Sequence, residues 1–514
     1  MARSDLKIAL FSAILFTLSF PPFPLGFLAP VALAVLLNHF IRNRPQNVFA
    51  VAYIQAVFWG VFTLFWIAVN TLAGATMAIL INALHYAFFW WLFVKLYDWR
   101  QDLSLAFFPF LWTGLEFLRQ FSEFRFNWLN LAYTQTYYVH FIQFVEWTGF
   151  LGLSFLVSAF GVLLYAILRY PERRLAWSGL LIFLFALPWG YGIRREKALA
   201  QLKPPTVAVG LVQPDVDPYK KWESSFRDSA YVMLAQSTRK LARQGARLVI
   251  WPETATPFFL RYEPLFLQKT HQLVDSLGIN LLTGTPDIQI GRTENEYKTF
   301  NSAFFFVPHR PGFQKYDKMA LVPAAESMPY KRFLPFLRKI NVGGGDFFPG
   351  NKFQVFESSI PLKTGPQKIE SHSKRSKSLK ISAVICFESI FPNLVRPFVA
   401  RGADLLAIIT NDAWFGRTSG PYQHAQYAVL RAVENRISIV RCANTGISMI
   451  IDYRGKVLLR TRLWRKQDVL FAVPIYHEAT FYDNHGEWFG DTVLLIVAAV
   501  LCLYFFEKYR NKKV

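Results

Sequence analysis

The chain has 514 residues, of which 53% are hydrophobic and 51 are Phe, and its mean hydropathy of +0.23 is more apolar than that of an average soluble protein, so lipid is the expected solvent for part of it. Three cysteines, Cys386, Cys442 and Cys502, lie far apart with no CxxC spacing, which excludes a disulfide framework and a thiolate zinc site. The net charge of +22 comes from basic residues that are scattered or sit beside apolar spans without a nucleic-acid motif, so the expected partner is an anionic lipid surface and not nucleic acid.

Eight apolar stretches of about the length that crosses a bilayer run near 6–21, 26–41, 48–70, 74–97, 103–120, 147–168, 175–193 and 489–506. The first is expected to stay in place as a helix, because no small-residue cleavage site follows Ser19-Phe20-Pro21-Pro22. Arg3 and Lys7, Arg42 and Arg44, Lys95 and Arg100, then Arg169, Arg173 and Arg174, and finally Lys508, Arg510, Lys512 and Lys513 mark alternate ends. Those ends are the cytoplasmic ones by the positive-inside rule, which puts both termini in the cytoplasm. The turns from Pro22 to Gly26 and from Asn70 to Gly74 carry no basic residue. The long segment between spans seven and eight is therefore expected on the far face, the periplasm in a bacterium. Glu116 is the clearest charge inside a span, too little for an ion or proton pathway.

The expected organisation is a membrane domain at 1–194 with seven helices, a water-compatible domain at 195–487, and an eighth helix with a cytoplasmic tail at 488–514. In the middle segment, short apolar runs rich in β-branched residues predict strands at Thr206 to Val212, Leu248 to Trp251, Asn280 to Gly284, Ala303 to Val307, Ile381 to Cys386, Leu405 to Thr410 and Ile437 to Cys442. Phe226, Ala230, Met233, Leu234 and Leu241 fall at helical spacing between two of them. Mixed α/β with buried strands is the class this implies. The run from Thr364 to Lys380 has no apolar period and predicts a surface loop. No internal sequence repeat is visible.

Three residues in this segment form a chemical set. A thiol is a good nucleophile only as thiolate, and it needs a base or a cation nearby to reach that state at neutral pH. Cys386 ends an apolar strand, and strand ends are where α/β folds place reactive side chains. Glu253 ends another strand in Trp251-Pro252-Glu253, with a proline fixing the chain before the carboxylate. Lys318 follows an apolar strand and a tight polar turn in Lys315-Tyr316-Asp317-Lys318. A cation there would favour the thiolate and hold the oxyanion of a tetrahedral intermediate. Taken singly, each has a plainer reading: a small buried hydrophobe, a turn residue and a solvated lysine.

Their order and flanks carry more. Trp-Pro-Glu, then Tyr316-x-Lys318 with Leu321-Val322-Pro323 and Glu326, then Ile385-Cys386-Phe387-Glu388, then Thr410-Asn411-Asp412-Ala413-Trp414-Phe415-Gly416 resembles the nitrilase superfamily and its Glu-Lys-Cys triad. With eight spans around it, the chain is similar to the apolipoprotein N-acyltransferases of the bacterial inner membrane. Leu211-Val212-Gln213-Pro214 with Lys221-Trp222, Gly420-Pro421-Tyr422-Gln423-His424, Asn444-Thr445-Gly446-Ile447-Ser448 and Asn127-Trp128-Leu129 extend the likeness over almost the whole chain.

The resemblance implies an α-β-β-α sandwich beside the polytopic helical domain, with Glu253 as general base, Lys318 as oxyanion and thiolate stabiliser and Cys386 as the acylated nucleophile. Glu326 and Glu388 match two further acidic positions, Trp222 an aromatic near the entrance, and Phe387 and Trp414 supporting positions. Two departures stand out: Ala324-Ala325 replace Phe-Gly before Glu326, and Phe387 replaces a tyrosine, removing its hydroxyl. The implied reaction passes an acyl chain from a phospholipid, phosphatidylethanolamine by resemblance, through a Cys386 thioester to the α-amine of a diacylglyceryl-cysteine on an apolipoprotein. No cofactor or metal enters, and a monomer is expected.

Two other classes remain open on the residues alone: a membrane-anchored amidase with the same triad, and a non-enzymatic transporter or lipid-binding scaffold. Among the remaining signals, His477-Glu478 and His485-Gly486-Glu487 lack the one-turn spacing of a zinc helix. His424 is expected to make a structural hydrogen bond, and Cys442 and Cys502 to pack. Trp222 and the apolar residues near Pro257-Phe258-Phe259-Leu260 are expected to line a lipid entrance.

Overall fold

The structure is a computed structural model that describes residues 1–291, 297–331, 333, 347–362 and 378–511. The expected loop from Thr364 falls outside the described residues up to position 377, and its last three residues, Ser378 to Lys380, instead begin a strand. Lys512 and Lys513 also fall outside. The chain divides into two compact units, Met1–Lys197 with His485–Val514, and Ala198–Asn484.

The first unit is helical. Helices Arg3–Ser19, Leu28–Asn38, Val48–Leu64, Leu72–Trp99, Gln101–Leu118, Val145–Arg169, Arg174–Ala200 and Trp488–Arg510 fall on the eight apolar stretches. Polar residues set their starts: the Asn47 side chain accepts from Ala50 N at 2.9 Å, and that of Thr71 from Gly74 N at 3.1 Å. Among the described residues, five segments are long and apolar enough to cross a membrane: Val48–Val69, Leu72–Trp99, Phe141–Arg169, Pro171–Ala200 and Trp488–Arg510. Arg3–Ser19 and Leu28–Asn43 are shorter, and Gln101–Leu118 is diluted by Asp102, Pro109 and Glu116.

Aromatic rings fill the interior of this unit. Trp59, Trp90 and Trp112 are fully buried, and Tyr86 lies 4.9 Å from Trp59 and 5.4 Å from Trp112 between ring centres. Large apolar side chains also face outward, with Leu175 90% and Leu495 72% exposed. Such surface is costly against water and ordinary against lipid. The buried Glu116 is tied down by Trp112 Nε1 at 2.9 Å and Leu131 N at 2.8 Å, and Arg119 donates to Tyr86 Oη at 2.8 Å and Phe126 O at 2.6 Å. These bonds pin the Asn127-Trp128-Leu129 segment to the end of Gln101–Leu118.

The second unit contains twelve strands among the described residues: β1 Thr206–Gln213, β2 Leu248–Ile250, β3 Asn280–Ile290, β4 Tyr297–Phe306, β5 Gln314–Asp317, β6 Phe356–Pro361, β7 Ser378–Ile385, β8 Leu405–Thr410, β9 Ser438–Ala443, β10 Met449–Ile451, β11 Val457–Arg460 and β12 Gln467–Pro474. They form two sheets, in the orders β12-β1-β2-β3-β4-β5 and β11-β10-β9-β8-β7-β6. Helices Ser224–Arg243 and Pro264–Leu277 pack on the first sheet and Gly420–Glu434 on the second. The sheets meet where the Cys442 thiol donates towards Val212 O at 3.3 Å and Ile250 O at 3.2 Å. This is the α-β-β-α sandwich that the resemblance implied.

Both sheets follow one plan. Strands β1, β2 and β3 run parallel, as do β7, β8 and β9. Each trio continues into two antiparallel strands, β4 and β5 or β10 and β11. The final strand of each half then crosses over: β6 pairs with β7, and β12 with β1. No sequence repeat announces this, because a shared topology constrains which faces are buried and not which residues fill them.

The turn expected at Lys315-Tyr316-Asp317 is strand β5 itself. Its polar residues hide the strand, since only Tyr316 is buried.

Candidate active site

Cys386 is the first residue after β7 and opens a 3-10 turn, Cys386–Ile390. Its φ of +53° is left-handed, a conformation that costs a residue with a Cβ roughly 1–2 kcal/mol. The surrounding structure must hold it there. Glu388 supplies part of that hold. Fully buried, it accepts from Ile385 N at 2.7 Å through Oε2, and through Oε1 from Tyr316 Oη at 2.7 Å, Met319 N at 2.6 Å and Ala320 N at 3.1 Å. Burial pushes its carboxyl up while those donors pull the other way. One carboxylate thus joins the cysteine turn to the segment that carries Lys318.

Glu253 lies just past β2. Glycine at position 284 on β3 lets it pass: a Cβ there would stand 2.6 Å from the Glu253 Cα and from Pro252 O. Both carboxylate oxygens are held. Oε1 accepts from Asn301 Nδ2 at 2.7 Å and faces Lys318 Nζ at 3.4 Å, and Oε2 accepts from Asn411 N at 2.9 Å. Lys318, 1% exposed, donates to Glu326 Oε1 at 2.8 Å. Glu326 is fixed in turn by Asn301 Nδ2 at 3.1 Å and Val322 N at 2.9 Å. Two carboxylates therefore share one ammonium and one amide.

The electrostatics follow from this arrangement. Burial opposes the Lys318 ammonium, yet Glu326, Glu253 and Cys386 together hold its pKa well above the ordinary lysine value. Burial pushes the Cys386 thiol up, Glu253 adds to the rise, and Lys318 works against it. At neutral pH the resting thiol therefore keeps its proton and needs a base to take it. Glu253 is close enough to act on the charges of both partners.

Phe387 is buried edge-on against Phe391 at 5.0 Å between ring centres. The hydroxyl it lacks relative to the resemblance is replaced by packing. Trp222 is 50% exposed, and its neighbour Lys221 is buried, donating to Thr254 O at 3.0 Å and Thr254 Oγ1 at 2.5 Å. Desolvation lowers the Lys221 pKa to about 8, against the pull of Glu253. Lys221, Glu253, Thr254 and Asn444 line one recess. Trp414, half-buried, meets Tyr219 edge-on at 5.4 Å.

The expected lipid entrance is corrected at two residues. Leu260 is fully buried, and Phe258, only 6% exposed, packs tilted against Phe266 at 4.6 Å between ring centres, both in the first sheet's core, where the Phe258 ring anchors Pro264–Leu277. His477 approaches Asp483 at 3.9 Å, and Cys442 is buried between the sheets.

Residues 206–474 match the carbon-nitrogen hydrolase family, and residues 12–163 match the apolipoprotein N-acyltransferase N-terminal domain. An apolipoprotein N-acyltransferase of Geobacter metallireducens is 33% identical over 98% of this chain and 96% of its own. The chain belongs to the apolipoprotein N-acyltransferases. A second member, from Chlorobaculum tepidum, is 29% identical over 96% of this chain and 95% of its own. Among solved structures, an amidase from Nesterenkonia sp. aligns with 56% of this chain and 98% of that one, at a TM-score of 0.38 and 16% identity. As an apolipoprotein N-acyltransferase, the protein is an acyltransferase of the nitrilase superfamily and a membrane protein with a helical region ahead of its carbon-nitrogen hydrolase domain.

Several residues of the site carried no signal by themselves. Asn301 lies mid-strand on β4 and looks like any polar strand residue, yet it bridges both carboxylates. Asn411 acts on Glu253 through its backbone N–H, which sequence never displays. Tyr316 was visible only as part of the Tyr-x-Lys motif.

Proposed function

We propose that this apolipoprotein N-acyltransferase moves an acyl chain from a phospholipid, through a thioester on Cys386, to the N-terminal α-amine of a diacylglyceryl-modified apolipoprotein, the last step of lipoprotein maturation. The observation that carries the reading is the Glu253–Lys318–Glu326 cluster beside a buried thiol on a left-handed strand end.

In the first step Glu253 takes the Cys386 proton, the thiolate adds to the donor ester carbonyl, and Lys318 holds the oxyanion. Collapse breaks the C–O bond, and the proton on Glu253 leaves with the lysophospholipid hydroxyl. In the second step the acceptor amine adds to the thioester carbonyl and gives a proton to Glu253. The C–S bond then breaks, the proton returns to sulfur, and an amide is released. Glu253 is base twice and acid twice, which suits a carboxylate anchored at both oxygens.

The membrane fits this chemistry. Both substrates present their reactive groups at the headgroup level, and extracting either into water would cost about 0.8 kcal/mol per CH₂ exposed. The positive-inside pattern supports a periplasmic catalytic domain at 195–487, with seven helices before it, an eighth after it and both termini cytoplasmic. Phosphatidylethanolamine is the proposed donor and the monomer the proposed state.

Intact-mass measurement of the purified protein with phosphatidylethanolamine tests the reading. One acyl mass gained, and none gained by Cys386→Ser, is the expected result; an unchanged wild-type mass overturns it. The match to carbon-nitrogen hydrolases favours one rival, an amidase that lets water resolve the thioester. An acyl-enzyme that persists in buffer and discharges only on addition of a diacylglyceryl-cysteine peptide separates the two.

A further inference from the structure

We propose that His424, anchored by the Asp412–Arg441 ion pair, is a positioning residue for the nucleophile, holding the Cys386 carbonyl so that the cysteine keeps its left-handed backbone while it is acylated. The inference rests on the proposed thioester chemistry but makes a claim of its own about how the thiol is aimed.

Three elements converge behind Cys386. His424 comes from the first turns of the helix Gly420–Glu434, Asp412 from the turn after β8, and Arg441 from the middle of β9. All three side chains are 0% exposed. Arg441 Nη2 lies 2.8 Å from Asp412 Oδ2 and 3.1 Å from Oδ1, and its Nη1 donates to Ile447 O at 2.6 Å. His424 Nδ1 lies 2.9 Å from Asp412 Oδ1. Burial opposes the Asp412 charge, but Arg441 and His424 hold its carboxyl far below the usual carboxylate range. A buried ion pair is often no more stabilising than well-packed apolar residues of similar volume. A charged cluster kept in the core directly behind a nucleophile therefore calls for another role.

Its reach to the nucleophile is direct. His424 Nε2 lies 3.1 Å from Cys386 O, and Ser389 Oγ donates to the same oxygen at 2.8 Å. A carbonyl only accepts, so Nε2 is the donor in that contact; it also lies 3.1 Å from Ser389 Oγ, and Nδ1 lies 2.9 Å from Arg441 Nη2. On the other flank, β7 and β8 are parallel with Ile385 opposite Ile409, which places Thr410 beside Cys386. The Thr410 hydroxyl donates to Asp412 Oδ1 at 2.9 Å. Asp412 thus anchors both His424, which faces the Cys386 carbonyl, and Thr410, the residue beside Cys386 on β8. A left-handed cysteine relaxes unless its peptide is gripped, and this is the grip that Glu388, on the amide side, does not provide.

The decisive comparison is between two isosteric replacements in the full-length protein in detergent micelles. Gln places an amide N–H near the imidazole Nε2 position, facing the Cys386 carbonyl, whereas Asn places one near Nδ1, facing Asp412 and Arg441 and not the carbonyl. Acylation by phosphatidylethanolamine is followed by intact mass, and alkylation of Cys386 by iodoacetamide by peptide mass. His424→Gln should keep both rates within about threefold of wild type, and His424→Asn should lose about tenfold or more in both, the cost of a buried acceptor left unmade. Equal rates in the two variants overturn the proposal. Should both lose their melting transition, Ser389→Ala decides: about a threefold loss of alkylation from removing the second donor supports the grip, and an unchanged rate overturns it. A wild type that is alkylated but not acylated sinks the thioester reading and leaves the alkylation series to judge the positioning.

Discussion

In the first half of the α/β unit the middle parallel strand, β2, ends at Ile250 and runs into Glu253; in the second half its counterpart, β8, ends at Thr410 and runs into Asn411. The two strand ends meet, with the Asn411 backbone N–H on the Glu253 carboxylate at 2.9 Å. A carboxylate at both positions would place like charges together in a buried site. The halves also differ at the other ends that matter. The first half contributes the charges, Glu253 and, after β5, Lys318, while the second contributes the thiol, Cys386 after β7. The acid beside Asn411, Asp412, faces Arg441 in its own half. One topology used twice supplies two sets of strand ends, and the chemistry comes from making them unlike.

That asymmetry can be broken residue by residue. On the proposed mechanism, Glu253→Gln should slow acylation by about 10³-fold, within the range for loss of a general base, and Lys318→Met by a similar factor if its ammonium holds the oxyanion. Retained acylation in either, read by intact mass, would mean that the first half does not supply the charges. Gly284→Ala comes next: a Cβ set 2.6 Å from the Glu253 backbone must displace Glu253, the proposed base, and about a hundredfold loss is expected, the scale for a misplacement near 1 Å. Asn301→Ala removes the donor shared by Glu253 and Glu326, and about a tenfold slower first step should follow. Tyr316→Phe leaves the chemistry in place but strips one donor from the buried Glu388. A stability loss of about 1–2 kcal/mol in denaturant titration is expected.

The smallest effect is one of pH. Lys221 has a folded pKa of about 8, below the roughly 10.4 of an unfolded lysine. Between those values the unfolded chain binds more protons, so this group makes the fold more stable as pH rises. The melting temperature of wild type relative to Lys221→Met should therefore climb from about pH 8 to about pH 10, and a falling difference would contradict the burial of an ammonium there.

What the sequence displayed and what it hid divide along physical lines. The buried parallel strands announced themselves because both faces are covered and the runs are continuously apolar, as in Leu405–Thr410. Strands at or near the sheet edges did not, because alternation or polarity masks them: β5 reads Gln-Lys-Tyr-Asp and β6 alternates buried with exposed. The motif residues Glu253, Lys318, Glu326 and Glu388 were legible from their flanks. Asn301, the backbone of Asn411 and the Asp412–His424–Arg441 cluster were not, since each acts through a contact between segments far apart in the chain. Phe258 misled because adjacent aromatics look exposed until a helix covers one of them.

The crossing-over of β12 onto β1 has a mechanical meaning. Thr206 and Pro474 are partners on one rung, so the first and last strands of the α/β unit are closed on each other. Beyond Pro474 the chain stays bound to the second half: His477 bridges Ile437, the Thr480 hydroxyl donates to Glu434 O at 2.8 Å, and Arg396 donates to Asp483 O at 2.7 Å. A pull on the C-terminal end must therefore break those contacts before it reaches the β1–β12 ladder.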